Sequence, residues 1–295
     1  MQLILLFFYC LIALPLTAQI NQCETVSGLK YRVYQQGSGP DLTADQFAYV
    51  HVNMRLGDSV LFSTRDVGEL VPIKVFSREE ERPSIDPVSD VLRYLKVGDS
   101  VTITQSMADL PQGNIPPEFL GHSEIYYDLA VYEGISQEDF EARQAVISAE
   151  EEEEKNIALA REPALLAAAQ ERQADYQAGQ LQGGRTTASG LEYVIHEQGT
   201  GPLPEPGEMV TVHYIGMLAA EGTVFDQSFN RGSPIRFKLG AGQVITGWDE
   251  GIALLPKGSR ATLIISAELG YGVRGTPNGS IPPNSVIMFY VELLE

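Results

Sequence analysis

Residues 243–266 read QVITGWDEGIALLPKGSRATLIIS, and their hydrophobic period changes halfway. In the first half Trp248, Ile252 and Leu255 fall at helical spacing. Thr246-Gly247-Trp248-Asp249 makes a start resembling a capping box, and Pro256 and Gly258 stop the segment. In the second half RATLIIS, from Arg260, is a strand. A short helix with one apolar stripe followed at once by a strand calls for a sheet against which the stripe can bury. Trp248 is the only tryptophan in the chain. Its period places it on the core side of the helix, although a lone large aromatic could also floor a site.

The flanking sequence supplies the sheet. In MVTVHY, Val210, Val212 and Tyr214 share a face. In IRFKLG, Ile235, Phe237 and Leu239 oppose Arg236 and Lys238. In VIMFYVELL, Ile287, Phe289, Val291 and Leu293 align. Alternation at period two marks antiparallel strands with one wet face. Two connections carry chemistry. TVFDQSFNRGSPI sets Phe225 beside Asp226, with Arg231 shortly after, and by itself such a pair is an ordinary surface ion pair of little worth. LGYGVRGTPNGSIPPNS is a long loop of the kind that is usually functional or disordered, and it holds Tyr271, whose hydroxyl needs a partner if buried. Gly270, Gly272 and Gly275 spell a dinucleotide fingerprint, but Pro277 and Pro282-Pro283 forbid the helix that such a site requires.

The pattern occurs twice. SGLKYRVYQQGSGP from Ser27 matches SGLEYVIHEQGTGP from Ser189. His51 aligns with His213, LKVGDSVTI with LPKGSRATL, and NIPP with SIPP. An ordered match of this extent implies duplicated domains. From Ile135 the intervening chain turns rich in Ala, Glu and Gln, which favour helix. Ser136 and Asp139 start it, Pro163 should break or restart it, and Gly179 and Gly183-Gly184 end it, so two helices are expected. Glu150 to Glu154 is a solvated face. The sparse apolar stripe leaves open whether this arm pairs two chains as a homodimer.

With 295 residues and a net charge of −19, the chain is sized for two domains and lacks the basic stripe of a nucleic-acid binder. Leu3 to Leu16 is an uncharged apolar run, too short to span a bilayer comfortably. Leu16-Thr17-Ala18 offers a cleavage site, so residues 1–18 read as a signal for export to a periplasm or the exterior. The alternative is membrane anchoring through an uncleaved signal or a lipidated cysteine. Cys10 lies within the signal and Cys23 would stand alone, so no disulfide framework is expected. No metal-ligand cluster, nucleophile elbow or phosphate-binding loop is visible, and no cofactor is expected.

Taken together, VHYIGML, VFDQSFNRGSPIRFKLG, the opening stretch, GYG, IPPNS and FYVELL resemble the FKBP-type peptidyl-prolyl isomerases. The resemblance covers essentially all of 189–295. It implies an α+β domain, a curved antiparallel sheet around one short helix. It also implies a pocket walled by Tyr214, Phe225, Val244, Ile245, Ile281 and Phe289 and floored by Trp248. Asp226 and Arg231 would sit at its edge, Ile235 at its rim, and Tyr271 would reach in. Asp226, Tyr271 and Trp248 would carry the catalysis, and the others would bind proline-containing polypeptides or macrolide immunosuppressants. Ile235, Gln243 and a longer Thr276–Ser280 loop depart from the family pattern at the rim. Residues 27–134 resemble the family weakly: Val52 replaces the pocket Tyr, Phe62 is kept, Ser63 replaces Asp, and Val88 stands at the Trp position. The expected organisation is signal 1–18, degenerate FKBP-like domain 27–134, helical linker 135–188 and isomerase domain 189–295.

Overall fold

The computed structural model describes residues 21–66, 68–79, 86–110, 119 and 121–294. The signal, Cys10 and the segment Ile115-Pro116-Pro117 lie outside the described residues. The chain divides into two units, Met1–Gln144 and Ala145–Glu295.

The first unit holds strands β1 (Asn21–Glu24), β2 (Lys30–Gln35), β3 (Phe47–Leu56), β4 (Ser59–Ser63), β5 (Val71–Lys74), β6 (Ser100–Ser106) and β7 (Glu124–Ile135). They form one antiparallel sheet in the order β1-β2-β6-β7-β3-β4, with β5 also on β3. Helix α1 (Pro87–Leu92) is capped by Asp86, whose carboxylate accepts from the Ser89 amide at 3.0 Å. Val88, Val91 and Leu92 pack from α1 onto Val50, Val52, Ile103 and Leu129 of the sheet.

The second unit repeats this order strand for strand. Its strands are β8 (Arg185–Thr186), β9 (Glu192–Glu197), β10 (Met209–Leu218), β11 (Val224–Gln227), β12 (Ile235–Lys238), β13 (Arg260–Ile265) and β14 (Ile287–Leu293). The sheet runs β11-β10-β14-β13-β9-β8, with β12 on β10. Helix α3 (Thr246–Ala253) lies on the inner face, where Trp248, Ile252 and Leu255 join Val212, Leu263, Phe289 and Val291.

Matching hydrogen bonds fix the correspondence of the two units. The Val52 amide donates to Thr64 Oγ1 and the Thr64 amide to the Val52 carbonyl, both at 3.0 Å. Tyr214 and Ser228 make the same pair of bonds at 2.7 and 3.0 Å. Ser27 donates to Asp90 of α1 as Ser189 does to Glu250 of α3, which puts Val88 at the place of Trp248. One expectation is corrected. Phe62 pairs with Met54 as Asp226 pairs with Gly216, and Ser63 pairs with Asn53 as Gln227 does with Ile215. Phe62 therefore occupies the Asp226 position and Leu61 that of Phe225. The second hairpin is two residues longer, with six residues between Met217 and Val224 against four between Arg55 and Val60. Matching Phe62 to Phe225 allows for only one of the two, and in a strand one residue reverses every side chain.

The outer sheet faces differ. In the first unit that face carries Asp128, which accepts from Thr102 Oγ1 at 2.5 Å and from Arg55 Nε at 2.8 Å. In the second unit it carries Ile215, Met217, Ile264, Met288 and Tyr290, which form a second core with Ala158 and Ala169. Those alanines belong to α2 (Gln137–Gln177), a single helix of 41 residues. Ser136 starts it as expected, its Oγ accepting from the Asp139 amide at 3.0 Å. The expected break at Pro163 does not occur. Pro163 and Leu159, whose carbonyl loses its partner, are both exposed, so water can replace the missing bond. Packing holds the helix on either side of it. Arg161 Nη2 donates to the buried Glu292 at 2.6 Å, and Gln173 Nε2 to the Ala219 carbonyl at 2.7 Å.

Candidate functional site

The inner face of the second sheet ends in a cleft of about 560 Å³, within the size range of small-molecule and peptide sites. Trp248 forms its floor and is only 4% exposed. Tyr214 and Phe289 stand edge-on to the indole, both with ring centroids at 5.2 Å, and Phe225 meets Phe289 edge-on at 5.5 Å. These edge-to-face contacts suit the ring quadrupoles and fix the walls. Gly216 makes them fit: a Cβ there would lie 2.6 Å from the Phe289 ring and 2.8 Å from that of Phe225. Val244 and Ile245 close one side, Ile281 and Tyr271 another, and Ile235 lies at the rim.

The helix that carries the floor starts differently from its sequence reading. Ile245, not Thr246, is the N-cap residue, and no side chain caps the helix. Asp249 instead turns back on the preceding loop, accepting from the Gly240 and Gly242 amides at 2.9 and 3.1 Å. These bonds stiffen the chain that leads to Val244 and Ile245. Because Ile245 precedes the helix, its amide points away from the helical ladder. Among the described residues it has no hydrogen-bond partner.

One edge of the cleft is polar. The Tyr214 hydroxyl donates to Asp226 Oδ2. Arg231 Nη1 donates to Asp226 Oδ1 at 2.6 Å, and its Nη2 to the Tyr214 oxygen at 2.9 Å. Burial pushes the Tyr214 phenol up, helped by Asp226, to about 12, so it remains a donor throughout the physiological range. Burial works against the Asp226 charge, but the Tyr214 hydroxyl and the Arg231 guanidinium outweigh it and hold the carboxyl below the usual aspartate range. Tyr271 is also raised, by burial and then by the Asp226 charge. Its hydroxyl has no hydrogen-bond partner among the described residues.

The structure thus brings ten of the eleven named residues to the lining of one cleft, and the eleventh, Arg231, is bonded to two of them. Gln243, Thr276, Asn278 and Ser280, at the rim positions where the sequence departs from the family pattern, also line the cleft, although sequence reasoning assigned them no binding role. Gln243 Oε1 accepts from the Lys238 amide at 2.8 Å, and Thr276 Oγ1 from the Ile281 amide at 2.9 Å, which seats Ile281 in the wall. Their departure from the family pattern was the available signal. Ser228 was missed outright. Its bonds to Tyr214 and to His213 Nδ1, at 2.7 and 2.9 Å, anchor the strand pair beneath the polar edge.

Such a cleft can hold a compact apolar ring in a dry place while donors at its mouth meet carbonyl groups. Both oxygens of the Asp226 carboxylate are engaged, by the Tyr214 hydroxyl and the Arg231 guanidinium, and hold the polar edge in place. Twisting an amide makes and breaks no covalent bond, so a cleft of this kind suffices for it.

Comparison with known proteins agrees. The profile of the FKBP-type peptidyl-prolyl cis-trans isomerase family matches residues 201–294. FK506-binding protein 1 of Dictyostelium discoideum is 52% identical over 105 residues, which are 36% of this chain and 96% of that protein. The peptidyl-prolyl cis-trans isomerase Fkbp12 of Drosophila melanogaster is 50% identical over 107 residues, 36% of this chain and 97% of its own length. The FKBP-type peptidyl-prolyl cis-trans isomerase FkpA of Aeromonas hydrophila is 46% identical over 113 residues, 38% of this chain and 40% of that protein. The chain belongs to the FKBP-type peptidyl-prolyl cis-trans isomerase family and is a peptidyl-prolyl isomerase.

Proposed function

We propose that the second unit carries the activity and that the chain isomerises X–Pro bonds in exported proteins as they fold. The observation that carries this reading is the aromatic cleft over Trp248 with unpaired donors at its mouth, the Ile245 amide and the Tyr271 hydroxyl. Amide rotation meets a barrier of about 18–20 kcal/mol, and uncatalysed X–Pro exchange takes tens to hundreds of seconds. The planar amide is dipolar and well solvated, whereas the twisted one has lost its charge separation. A dry pocket therefore favours the twisted state, and fixing the peptide in a bent geometry adds an orientation term. Trp248, Tyr214, Phe225 and Phe289 bind the prolyl ring. Ile245 and Tyr271 hold the flanking carbonyls, and Asp226 orients Tyr214. Relatives named for FK506 binding support a macrolide as a competing ligand of the same cleft. The apolar N-terminus supports export.

The test is a protease-free isomerisation assay on a short prolyl peptide with Trp248→Ala and Asp226→Val. Each should lose about tenfold or more in kcat/KM, the scale of one charged hydrogen bond or its packing equivalent. Wild-type rates in folded variants would place the site elsewhere.

The first unit has Val52, Leu61, Phe62 and Val88 where the second has Tyr214, Phe225, Asp226 and Trp248, which supports an inactive copy. One feature favours a holding role for it. Edge strand β4 exposes Val60, Leu61 and Phe62 in succession, and its outer side is unpaired among the described strands. Such an edge can receive an extended apolar segment of a client.

A further inference from the structure

We infer that helix α2 is a positioning element of the isomerase cleft. Lys155, Ala158, Arg161 and Glu162 hold from behind the segment that presents Asp226 and Arg231 to Tyr214. The inference rests on the reading of that cleft as the catalytic site.

Asp226 and Arg231 are half-exposed, with 46% and 50% of their side chains accessible. An ion pair so placed has little intrinsic hold on its own geometry. What fixes it lies on the other side of the chain, because neighbouring strand residues point to opposite faces. Asp226 faces the cleft, and the next residue, Gln227, faces the helix, where its Nε2 donates to Glu162 Oε1 at 2.9 Å. Phe229 is fully buried. It stacks on His213 at 4.6 Å, shares a core with Ala158, and has the Arg161 guanidinium 5.8 Å from its ring centre. Gly232 follows Arg231 at a φ of 67° and lies against Lys155: a Cβ there would be 2.2 Å from Lys155 Cγ and 3.0 Å from its Cα. Both the φ and the close approach require glycine. The segment from Gln227 to Gly232 is thus gripped at both ends and in the middle by consecutive turns of one helix. The polar edge of the cleft is mounted on that grip.

The bond between Glu162 and Gln227 can be broken and remade without touching the cleft. In the intact chain, Glu162→Leu removes the acceptor and Gln227→Glu opposes two carboxylates. Glu162→Gln keeps an acceptor, and the double variant Glu162→Gln with Gln227→Glu restores the bond with amide and carboxylate exchanged. Glu162→Leu and Gln227→Glu should each lower kcat/KM roughly three- to tenfold, short of the about hundredfold that an ångström of misplacement costs. Glu162→Gln and the exchanged pair should return to within about twofold of wild type on the same scale. Glu151→Gln, on an exposed part of the same helix, should change nothing. Wild-type kcat/KM in Glu162→Leu, or a loss in Gln227→Glu that the exchange does not relieve, overturns the inference. So does a loss that only tracks the fall in melting temperature. Should Gln227→Glu fail to fold, the contrast between Glu162→Leu and Glu162→Gln decides alone. Asp226→Val is run in parallel: if it too is fully active, the reading of the cleft fails, and if it is impaired while the helix variants are not, only the role of the helix fails.

Discussion

Asp226 is pulled in opposite directions. Burial favours its neutral form, and the Tyr214 hydroxyl and Arg231 guanidinium favour its charge and win. The carboxyl therefore titrates lower in the folded chain than in the unfolded one. Its contribution to stability is complete above the ordinary aspartate range and is lost as the pH falls through the folded value. Arg231→Gln removes the charged one of the groups that hold it down. The Tyr214 hydroxyl, the Arg231 guanidinium and the Gln227 backbone amide all favour the charged carboxyl, and of these only Arg231 carries a charge at neutral pH. The expected outcome is that the acid limb of kcat/KM moves to higher pH, with the neutral-pH rate reduced severalfold, on the scale of one charge-assisted hydrogen bond. A limb that stays in place would show that Asp226 does not govern the acid side of the profile. Trp248 provides a second measurement at this scale. One side of the indole packs into the core and the cleft lies over the other, so a bound prolyl ring must alter its emission. A macrolide or prolyl peptide shown by calorimetry to bind, yet leaving the fluorescence flat, would place binding away from the floor.

Among the elements, α2 departs furthest from its sequence reading. Its apolar positions are sparse, and the residues it buries against the sheet, Ala158, Ala169 and Gln173, carry almost no periodic signal. Small residues allow close approach, and Leu165, Leu166 and Tyr176 of the helix pack around them against the sheet. Pro163 was legible as a helix breaker because its cost is intrinsic. That its missing bond faces water, on a helix held at both sides by tertiary contacts, depends on partners distant in the chain. Pro163→Ala should therefore stabilise the protein, by up to about 3 kcal/mol if the surrounding helix is otherwise regular, and raise the melting temperature by several degrees. A lower melting temperature would mean that the helix is bent at Pro163 and that its packing relies on the bend. By contrast, α3 and the strands β10, β12, β13 and β14 were legible in the sequence. There a dense alternation meets a helical stripe that ends at Pro256 and Gly258, and local preference and burial agree. Only the cap was misread. Thr246 has the right chemistry for an N-cap, but the helix begins one residue earlier and Asp249 serves the preceding loop instead.

On the scale of the whole molecule, the sequence showed two copies of one pattern, and the structure adds that the copies run in the same strand order while their outer faces have diverged. The one-residue slip at Phe62 was invisible from sequence because hairpin length is set by backbone geometry, which a run of apolar residues does not record. The corrected register sharpens the contrast between the units. At the position of the polar Asp226 the first unit exposes a phenyl ring, 51% accessible, on an edge strand. If isomerisation belongs to the second unit and holding to the first, the two should separate by mutation in the intact chain. Asp226→Val with Trp248→Ala should bring isomerisation close to the uncatalysed rate while leaving suppression of client aggregation unchanged. Leu61→Lys with Phe62→Glu should do the reverse, because charges on an exposed edge deter strand addition and leave the core intact. These substitutions lie at exposed positions, so their cost to stability should stay within about 0.5 kcal/mol each, and thermal melts check that both variants are folded. Residual isomerisation well above background in the first double variant would show that the degenerate copy is active. Undiminished aggregation suppression in the second would remove the edge strand as the holding surface.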